Sequence, residues 1–504
     1  MLERRSRRLA AAAFTSLLCG SALHAQAGLT HLGDASIPAP GTFRLHAATA
    51  WTRYDTRFAT TGVAPLGALF TSDSLGVREI PRLAVAESLV SEATSAVFRL
   101  TLGRSRLDAT AREEIIPLAL EYGVTSRISV SVMVPVVRKR IAVQFRLDTA
   151  GGFGANVGPN QHRTNSTAAQ NNVTVQAQFA SAAQQLQARL SSCRADPSAP
   201  GCAALLAREA EAVALIAASQ TFAAQLELIY GSANSTGQPF VPTAQSDAQV
   251  AIEARIAAFD AQYRDLLTGS TELLTARPFG AGGPAGVADL RQYFAGEGMR
   301  DSVAMQERVG VGDVEVGVKF LVLQRRPADA GEPGFQLALA AGIRVATGSD
   351  ESPSEIMDMR VGSGDDRVEG SAIFDATIGR FGLLAAARHE AAIGSRQVVP
   401  LVSLDRPAPV TDKSVTDISV APRWHLSEPL AFHAAYSFRS ANVTGSHQLV
   451  GGGLSFSGFA KTQPGRTPPV EMRFTHLEAI TGDAGRPRFF RDQIEVRIYY
   501  RLRR

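Results

Sequence analysis

The sequence predicts an all-β chain that closes into a transmembrane, antiparallel, up-and-down β-barrel of about twelve strands. Two patterns lead to this fold class: segments of about ten residues alternate apolar and polar positions, and tight turns alternate with long polar loops between them. In the segment Arg127–Val137, one face is formed by Ile128, Val130, Val132, Val134 and Val136. That face suits lipid and the opposite face suits water, although a soluble sandwich would give the same alternation.

The N-terminal segment 1–27 is typical of a cleavable export signal. Four arginines lie among the first eight residues, an apolar core follows at 9–23, and Ala25-Gln26-Ala27 supplies the small residues of a cleavage site. The apolar core is too short to span a bilayer, so we expect an exported mature chain that begins near Gly28. Without the signal the formal charge falls from +4 to about +1, so the whole-chain charge does not indicate nucleic-acid binding.

Twelve segments are predicted to be strands, and an even number is what a single-chain bacterial barrel requires. They are Thr42–Phe58, Asp108–Gly123, Arg127–Val137, Gly312–Leu323, Phe335–Thr347, Val368–Ile378, Phe381–Ile393, Val415–Leu426, Leu430–Ser440, Ser446–Ser457, Val470–Thr481 and Gln493–Leu502. Mostly short connectors, such as 124–126 and 379–380, predict periplasmic turns. Longer ones, such as 59–107 and 138–311, predict extracellular loops, so both termini are expected in the periplasm.

Aromatic residues on the predicted outer face suit the girdles at the two membrane interfaces, although a sandwich core would also accept them. They are Phe43, Trp424, Phe432, Tyr436, Phe438, Phe474 and Tyr500. The last strand alternates to the end of the chain and resembles the C-terminal signal that the barrel-assembly machinery recognises. That signal normally ends in an aromatic residue, whereas this chain ends in Leu502-Arg503-Arg504.

Several short motifs follow one another along the chain. They are 116–125 (IPLALEYGVT), Val134-Pro135, 310–320 (GVGDVEVGVKF), Ala346-Thr347-Gly348 and 361–365 (VGSGD). These motifs resemble those of the outer-membrane family named for the MetA pathway of phenol degradation, which looks like a distant branch of the FadL-type transporter barrels. The resemblance covers about residues 107–137 and 306–502. It implies an outer-membrane barrel that passes small hydrophobic or aromatic molecules. The chain departs from that pattern, because we find no long N-terminal hatch between Gly28 and Gly41.

The loop insertion 138–309 has no counterpart in the family pattern. Helical spacing of apolar residues predicts three α-helices in it, at Asn172–Arg194, Cys202–Tyr230 and Asp247–Leu267. Cys193 and Cys202 flank a turn rich in helix breakers, and in an exported chain they predict a disulfide rather than a metal site. The helices could cap the pore, fold inward as a plug, bind a partner or only shield the barrel.

Charged residues on the opposite strand faces are predicted to face the lumen, because a charge on the lipid face would cost about 2–4 kcal/mol at the bilayer midplane. These candidates are Glu315, Lys319, Arg344, Asp375, Arg388, Arg423, Arg439, Arg473, Glu495 and Arg497. Their cationic excess would suit a weakly anion-preferring pore. Mutual neutralisation in a structural network is the alternative.

The sequence thus favours a passive outer-membrane channel or transporter for small hydrophobic or aromatic compounds. Its expected partners are the lipid bilayer, the barrel-assembly machinery and a small solute, with no nucleic acid, cofactor, metal or catalytic residue. A structural, adhesive or receptor-like scaffold for the helical loop is the alternative. A lipid hydrolase is disfavoured because no histidine lies in a recognisable nucleophile motif; the histidines considered are His389, His425, His433, His447 and His476.

Overall fold

The computed structural model describes most of the chain. The described residues are 34–80, 82–149, 154–268, 271–296, 306–326, 332–348, 361–393, 413–427, 429–442, 445–457, 470–484 and 486–501. They fall into two compact units, a barrel unit (Met1–Leu69, Asp108–Gln144 and Phe294–Arg504) and a helical unit (Phe70–Leu107 and Phe145–Tyr293). The predicted signal at 1–27 and the predicted connector 458–469 lie outside the described residues.

Twelve strands of the described chain form a closed antiparallel ring. They are β1 Thr42–Phe58, β2 Arg104–Gly123, β3 Ile128–Asp148, β4 Val314–Arg325, β5 Gly334–Val345, β6 Arg367–Ile378, β7 Phe381–Ala392, β8 Ser414–His425, β9 Leu430–Ala441, β10 Gly445–Ser457, β11 Val470–Gly482 and β12 Pro487–Arg501. Each strand pairs with the next, and β1 pairs with β12 from Thr42 opposite Arg501 to Arg57 opposite Pro487. The predicted twelve-stranded barrel is confirmed.

Two short strands extend the ring at one end. Val63–Pro65 pairs with β1, and Gln306–Val311 pairs with the far half of β3. We predicted that β3 would end at Val137, but it continues to Asp148. The prediction was short because the outward positions turn from valine to Arg138 and Arg140, whereas the backbone pairing continues opposite Val309 and Glu307.

The strand faces show which side is apolar. On β4, Glu315 and Lys319 are each 1% exposed, whereas Val316 and Val318 are 53% and 43% exposed. The buried face of the ring therefore carries charge and the exposed face carries aliphatic side chains. A soluble sandwich buries its apolar face, so this arrangement excludes a sandwich and is the arrangement of a membrane barrel.

The two ends of the barrel differ in their connectors. One end, the turn end, carries the short connections Val124–Arg127 and Gly379–Arg380, together with the start of β1 and the end of β12. The opposite end, the loop end, carries the long connections 59–103 and 149–313. The two chain ends of the barrel therefore share the turn end, as the strand count requires.

The chain also forms helices, as predicted for the insertion 138–309, so the fold is a barrel with inserted helices and the all-β class is corrected to a mixed one. The described helices are α1 Arg82–Thr94, α2 Ser166–Ala195, α3 Cys202–Ala207, α4 Glu209–Tyr230, α5 Asp247–Leu266 and α6 Val287–Gly296, with 3-10 turns at Leu66–Phe70 and Gln161–Arg163. We predicted α3 and α4 as one helix, which breaks at Arg208. The helix α2 begins earlier than predicted because Asn165 accepts hydrogen bonds from the backbone N–H of Thr167 and Ala168.

The helical unit has its own core, and both long loops contribute to it. Phe179, Phe222 and Phe259 from α2, α4 and α5 meet with ring centroids 5.3–5.9 Å apart. The helix α1, from the β1–β2 connection, packs against α4 and α5. The pair Cys193 and Cys202 is disulfide-bonded and joins the end of α2 to the start of α3. The unit also contains a two-stranded antiparallel sheet, in which Val157–Pro159 pairs with Phe240–Pro242.

One described helix, α4, is long and apolar enough to cross a membrane by length and composition alone. It carries buried Phe222, Leu226 and Ile229 and contacts α2, so it serves as a core helix of the helical unit. The same composition is ordinary for such a core helix, so it is weak evidence for a membrane span.

Candidate functional site in the barrel interior

All ten charged residues predicted to face the lumen lie on the buried face of the barrel sheet. Seven are buried: Glu315, Lys319, Arg344, Arg388, Arg439, Glu495 and Arg497. The other three, Asp375, Arg423 and Arg473, are half-buried, with side-chain exposures of 18%, 22% and 27%. The structure distributes them over two ionic clusters and two further pairs, with Arg473 beside the second cluster.

The first ionic cluster crosses β4 to β7. Arg344 lies 2.6 Å from Glu315 and 3.0 Å from Glu390. Arg388 lies 3.0 Å from Glu390 and also binds Glu369. Sequence reasoning missed Glu369 and Glu390, although Glu390 lies two residues after Arg388 and strand alternation therefore puts both on one face.

The second ionic cluster lies nearer the turn end. The Arg44 Nε atom donates to Glu121 Oε2 over 2.9 Å, and Lys319 Nζ lies 3.2 Å from Glu121 Oε1. Arg497 lies 2.5 Å from Glu495. Arg44 and Glu121 were missed by the sequence analysis, although both occupy inward positions of β1 and β2.

The remaining predicted residues pair with acids on a neighbouring strand or on the next strand but one. Arg423 binds Asp375, Arg439 lies 3.5 Å from Asp417, and Arg473 lies 3.7 Å from Glu495. Each of the ten predicted residues therefore has an oppositely charged partner within the described barrel.

A short N-terminal segment, residues 34–40, enters the barrel interior. Ala35 is fully buried against Ala338 and Ala340 of β5 and Ile373 of β6. One residue earlier, Asp34 binds side chains of β1 and β12, on the other side of the ring. The segment therefore crosses the lumen. From the sequence we found no long hatch between Gly28 and Gly41, and we did not predict that residues 34–40 enter the barrel interior.

The segment joins the barrel wall at a turn. Gly41 has a φ of +73°, a conformation that favours glycine, and its backbone N–H donates to the carbonyl of Gly123 over 2.9 Å. The chain enters β1 directly afterwards. The turn thus fixes the segment to the turn end of the barrel.

The glycine-rich motifs meet around one buried carboxylate. Asp313 is fully buried; it accepts hydrogen bonds from the Gly348 N–H over 3.0 Å and from the N–H and hydroxyl of Ser363 over 2.6 Å each. A Cβ atom on Gly348 would lie 2.5 Å from the Gly362 Cα, so the close approach requires glycine. The motifs are therefore structural, since they tie the ends of the β5–β6 loop to the start of β4.

This loop reaches into the lumen near the loop end. Val361 is buried and packs against Ala50 of β1, Ile115 of β2 and Val137 of β3. These three strands lie across the ring from β6, where the loop ends. The described lumen is therefore narrowed by the segment 34–40 at the turn end and by Val361 nearer the loop end.

A cavity of about 230 Å³ lies in the barrel at the turn end. Its wall includes Asp34 and Ser36 of the N-terminal segment and the cations Arg423, Arg473 and Arg497. The acids Asp375, Glu471 and Glu495 also line it. The cavity is thus polar, and the N-terminal segment forms one side of it.

No described group of three or more His, Cys, Asp or Glu side chains is arranged to hold a metal ion. Three histidines considered for hydrolysis have polar neighbours on adjacent or nearby strands. His389 Nδ1 lies 2.9 Å from the Thr416 hydroxyl, and His433 Nε2 lies 3.0 Å from the Thr475 hydroxyl. His476 lies 2.7 Å from Asp492. These contacts fit cross-strand pairs on the barrel wall.

Comparisons with known proteins give structural likeness at low identity. No family model matches the chain, and no curated protein matches it. An outer membrane channel from Pseudomonas putida F1 is similar at a TM-score of 0.41 and 8% identity, over 94% of this chain and 100% of that one. The toluene transporter of Ralstonia pickettii is similar at a TM-score of 0.29 and 8% identity, over 92% and 90%.

A further likeness is to the transport unit of the autotransporter AIDA-I from Escherichia coli, at a TM-score of 0.32 and 5% identity, over 97% of both chains. TM-scores of 0.41, 0.29 and 0.32 are too low to carry an argument about function. The class of protein, a closed twelve-stranded barrel with an apolar exterior and an ionic interior, therefore rests on the chain's own strand order and burial.

Proposed function

We propose that this protein is a passive outer-membrane channel for small solutes. The observation that carries the proposal is the closed barrel whose exterior is apolar and whose interior is charged. In water such an apolar exterior would promote aggregation, whereas in a bilayer it contacts lipid and stabilises the barrel.

The size of the apolar exterior supports insertion in a bilayer. On β3 the outward apolar positions run from Ile128 to Val136, which is about 26 Å along the strand at about 3.3 Å per residue. At a strand tilt of about 40° this covers ~20 Å, close to the ~25 Å band of bacterial barrels. Trp424, Phe432 and Tyr500 are exposed on that face, as girdle residues are.

The export signal expected at 1–27 and the shared turn end of both barrel termini support an orientation with the turn end in the periplasm. The helical unit then belongs to extracellular loops. Assembly through the barrel-assembly machinery is part of the same proposal, since the alternation of β12 continues to Arg501.

The interior supports a narrow channel in preference to a wide open pore. The ion pairs neutralise one another, which favours a structural network over a strongly anion-selective lining. The segment 34–40 and the loop around Val361 also occupy part of the lumen.

Small hydrophobic or aromatic compounds remain the proposed solutes of this channel. An apolar cluster on the interior supports this finer proposal. It contains Phe58, Leu449, Ala479 and Phe489, with Tyr54 and Leu477 beside it. The ring of Phe489 also lies 5.3 Å from the Arg491 guanidinium, so the cluster adjoins a cation.

Purified full-length protein in planar bilayers and in liposomes tests the channel. We expect small discrete conductance steps and flux of small solutes, with larger steps in a variant that lacks residues 34–40. The proposal is contradicted if both proteins are shown to be folded barrels and neither of them gives conductance or solute flux.

A second candidate function is a receptor-like or adhesive scaffold. The observation that favours it is the separate core of the helical unit, which is drawn from two loops and carries a disulfide. Replacing both loops by short turns should then abolish binding to a surface partner while the barrel still assembles. Unchanged binding in such a variant would exclude the scaffold function.

A further inference from the structure

The carboxylate of Asp34 is held by cations of the barrel wall although Asp34 belongs to no strand. One oxygen, Oδ1, lies 3.3 Å from Arg44 Nη1, and the other, Oδ2, binds Arg497 Nη1. The Asp34 backbone carbonyl accepts from Lys319 Nζ over 3.3 Å. Three cations from β1, β4 and β12 therefore converge on one residue of the N-terminal segment.

The wall holds these cations in place without Asp34. Glu121 contacts both Arg44 and Lys319, and Glu495 lies 2.5 Å from Arg497. The acids on the strands therefore fix the positions of the cations, and Asp34 takes the donor directions that are left. If Asp34 left, no strand pairing would be lost, because residues 34–40 lie outside the described strands.

The space beside Asp34 has room for a ligand. The cavity of about 230 Å³ shares Asp34, Ser36 and Arg497 with this site. Its volume is below the ~300–1,000 Å³ of pockets for drug-sized ligands, which limits the ligand to a small molecule. A molecule that put a carboxylate where Asp34 now binds would lie with its remainder in this cavity.

We infer that Arg44, Arg497 and Lys319 form a binding site for small organic carboxylates, and that Asp34 occupies this site as a tethered competitor. The inference rests on the proposed channel and names a solute class for it. A guanidinium pair recognises the two oxygens of a carboxylate through charge-assisted hydrogen bonds. Because Asp34 is tethered, a free carboxylate binds only in the fraction of molecules from which Asp34 has withdrawn.

The test measures benzoate binding to the detergent-solubilised full-length protein by isothermal titration calorimetry. Asp34→Asn removes the competing charge, and Asp34→Ala removes the side-chain acceptor altogether. If Asp34 occupies the site about nine-tenths of the time, each variant should bind benzoate about tenfold more tightly than the unchanged protein. The gain should disappear in Asp34→Asn combined with Arg497→Gln.

Controls separate the inference from simpler explanations. Asp492→Asn makes the same change on the outer face, beside His476, and should leave benzoate binding unchanged. Benzyl alcohol, which lacks the carboxylate, should gain nothing from Asp34→Asn.

Equal benzoate affinity in the unchanged protein and both Asp34 variants would overturn the inference. An equal gain for benzyl alcohol, or for inorganic phosphate, would overturn the assignment to carboxylates. The titration does not depend on conductance. A folded barrel without conductance would contradict the proposed channel, whereas the titration of the same protein would still test the carboxylate site.

Discussion

Replacing Arg344 by methionine should strongly destabilise the barrel. The Arg344 guanidinium is 1% exposed and lies 2.6 Å from Glu315 and 3.0 Å from Glu390. Without Arg344, the first ionic cluster keeps three acids, Glu315, Glu369 and Glu390, and one cation, Arg388. Breaking a buried ion pair by removing one partner costs about 3–5 kcal/mol, so we expect a loss of that size.

Urea unfolding in lipid vesicles, followed by tryptophan fluorescence, measures this loss. Trp51 and Trp424 are the chain's two tryptophans, and both lie exposed on the outer face, so their emission reports withdrawal from lipid. The matched control is Arg138→Met, since Arg138 pairs with Glu307 where both side chains are substantially exposed. An exposed pair contributes about 0–1 kcal/mol. Equal destabilisation by the two substitutions would refute the buried network.

Three further predictions concern the helical unit and the lumen loop. Replacing Cys193 and Cys202 by serine should lower the stability of the helical unit by about 2–3 kcal/mol, because the disulfide no longer restricts the unfolded chain. Thermal melting followed by the helical circular dichroism measures this loss, and an unchanged melting curve would contradict a stabilising role for the disulfide. Burial opposes ionisation of Asp260, but the backbone N–H groups of Leu274 and Leu273 and the Arg264 side chain outweigh it and hold the Asp260 pKa below its usual value. This stabilisation is present above the usual pKa of aspartate and is lost as the pH falls through the lowered value. In Asp260→Asn, the melting temperature of the helical unit should therefore fall less steeply as the pH is lowered. An equally steep fall in the variant would contradict this role of Asp260. Asp313→Ala leaves the Gly348 and Ser363 N–H groups without their acceptor and should destabilise the barrel by about 1–3 kcal/mol per unpaired group in the urea assay; a smaller loss than for Arg138→Met would contradict the anchoring role.

The strand ring was predictable because alternation and turn spacing are local signals. The bounds of β1 were predicted without error, and the other predicted strands lie within or close to the observed ones. The far half of β3 was missed because Arg138 and Arg140 interrupt the apolar outward face, while the pairing that continues the strand depends on a segment distant in sequence. The alternation of residues within β3 does not reveal which distant segment pairs with its far half.

Strand alternation indicates which residues face the interior of the barrel, but it does not indicate which of them pair with one another. Alternation identified Arg344 and Arg388 as inward residues, and the same rule, applied consistently, would have found Glu390 and Arg44. The pairing of Asp34 with Arg497 joins residues at opposite ends of the sequence, and only the closed ring brings them together. Helix α1 was missed because segment 59–107 was predicted to be a long loop, and the packing of α1 against α4 and α5 depends on residues distant in sequence.

The central claim is that this chain forms a closed barrel in the outer membrane, with lipid outside and ion pairs inside. Gel mobility of the outer-membrane fraction, unheated and boiled, with and without reductant, tests it most directly. We predict a compact band that shifts on boiling, because a closed ring of strands resists detergent until it is heated. A soluble periplasmic band whose mobility does not change on boiling would contradict the claim.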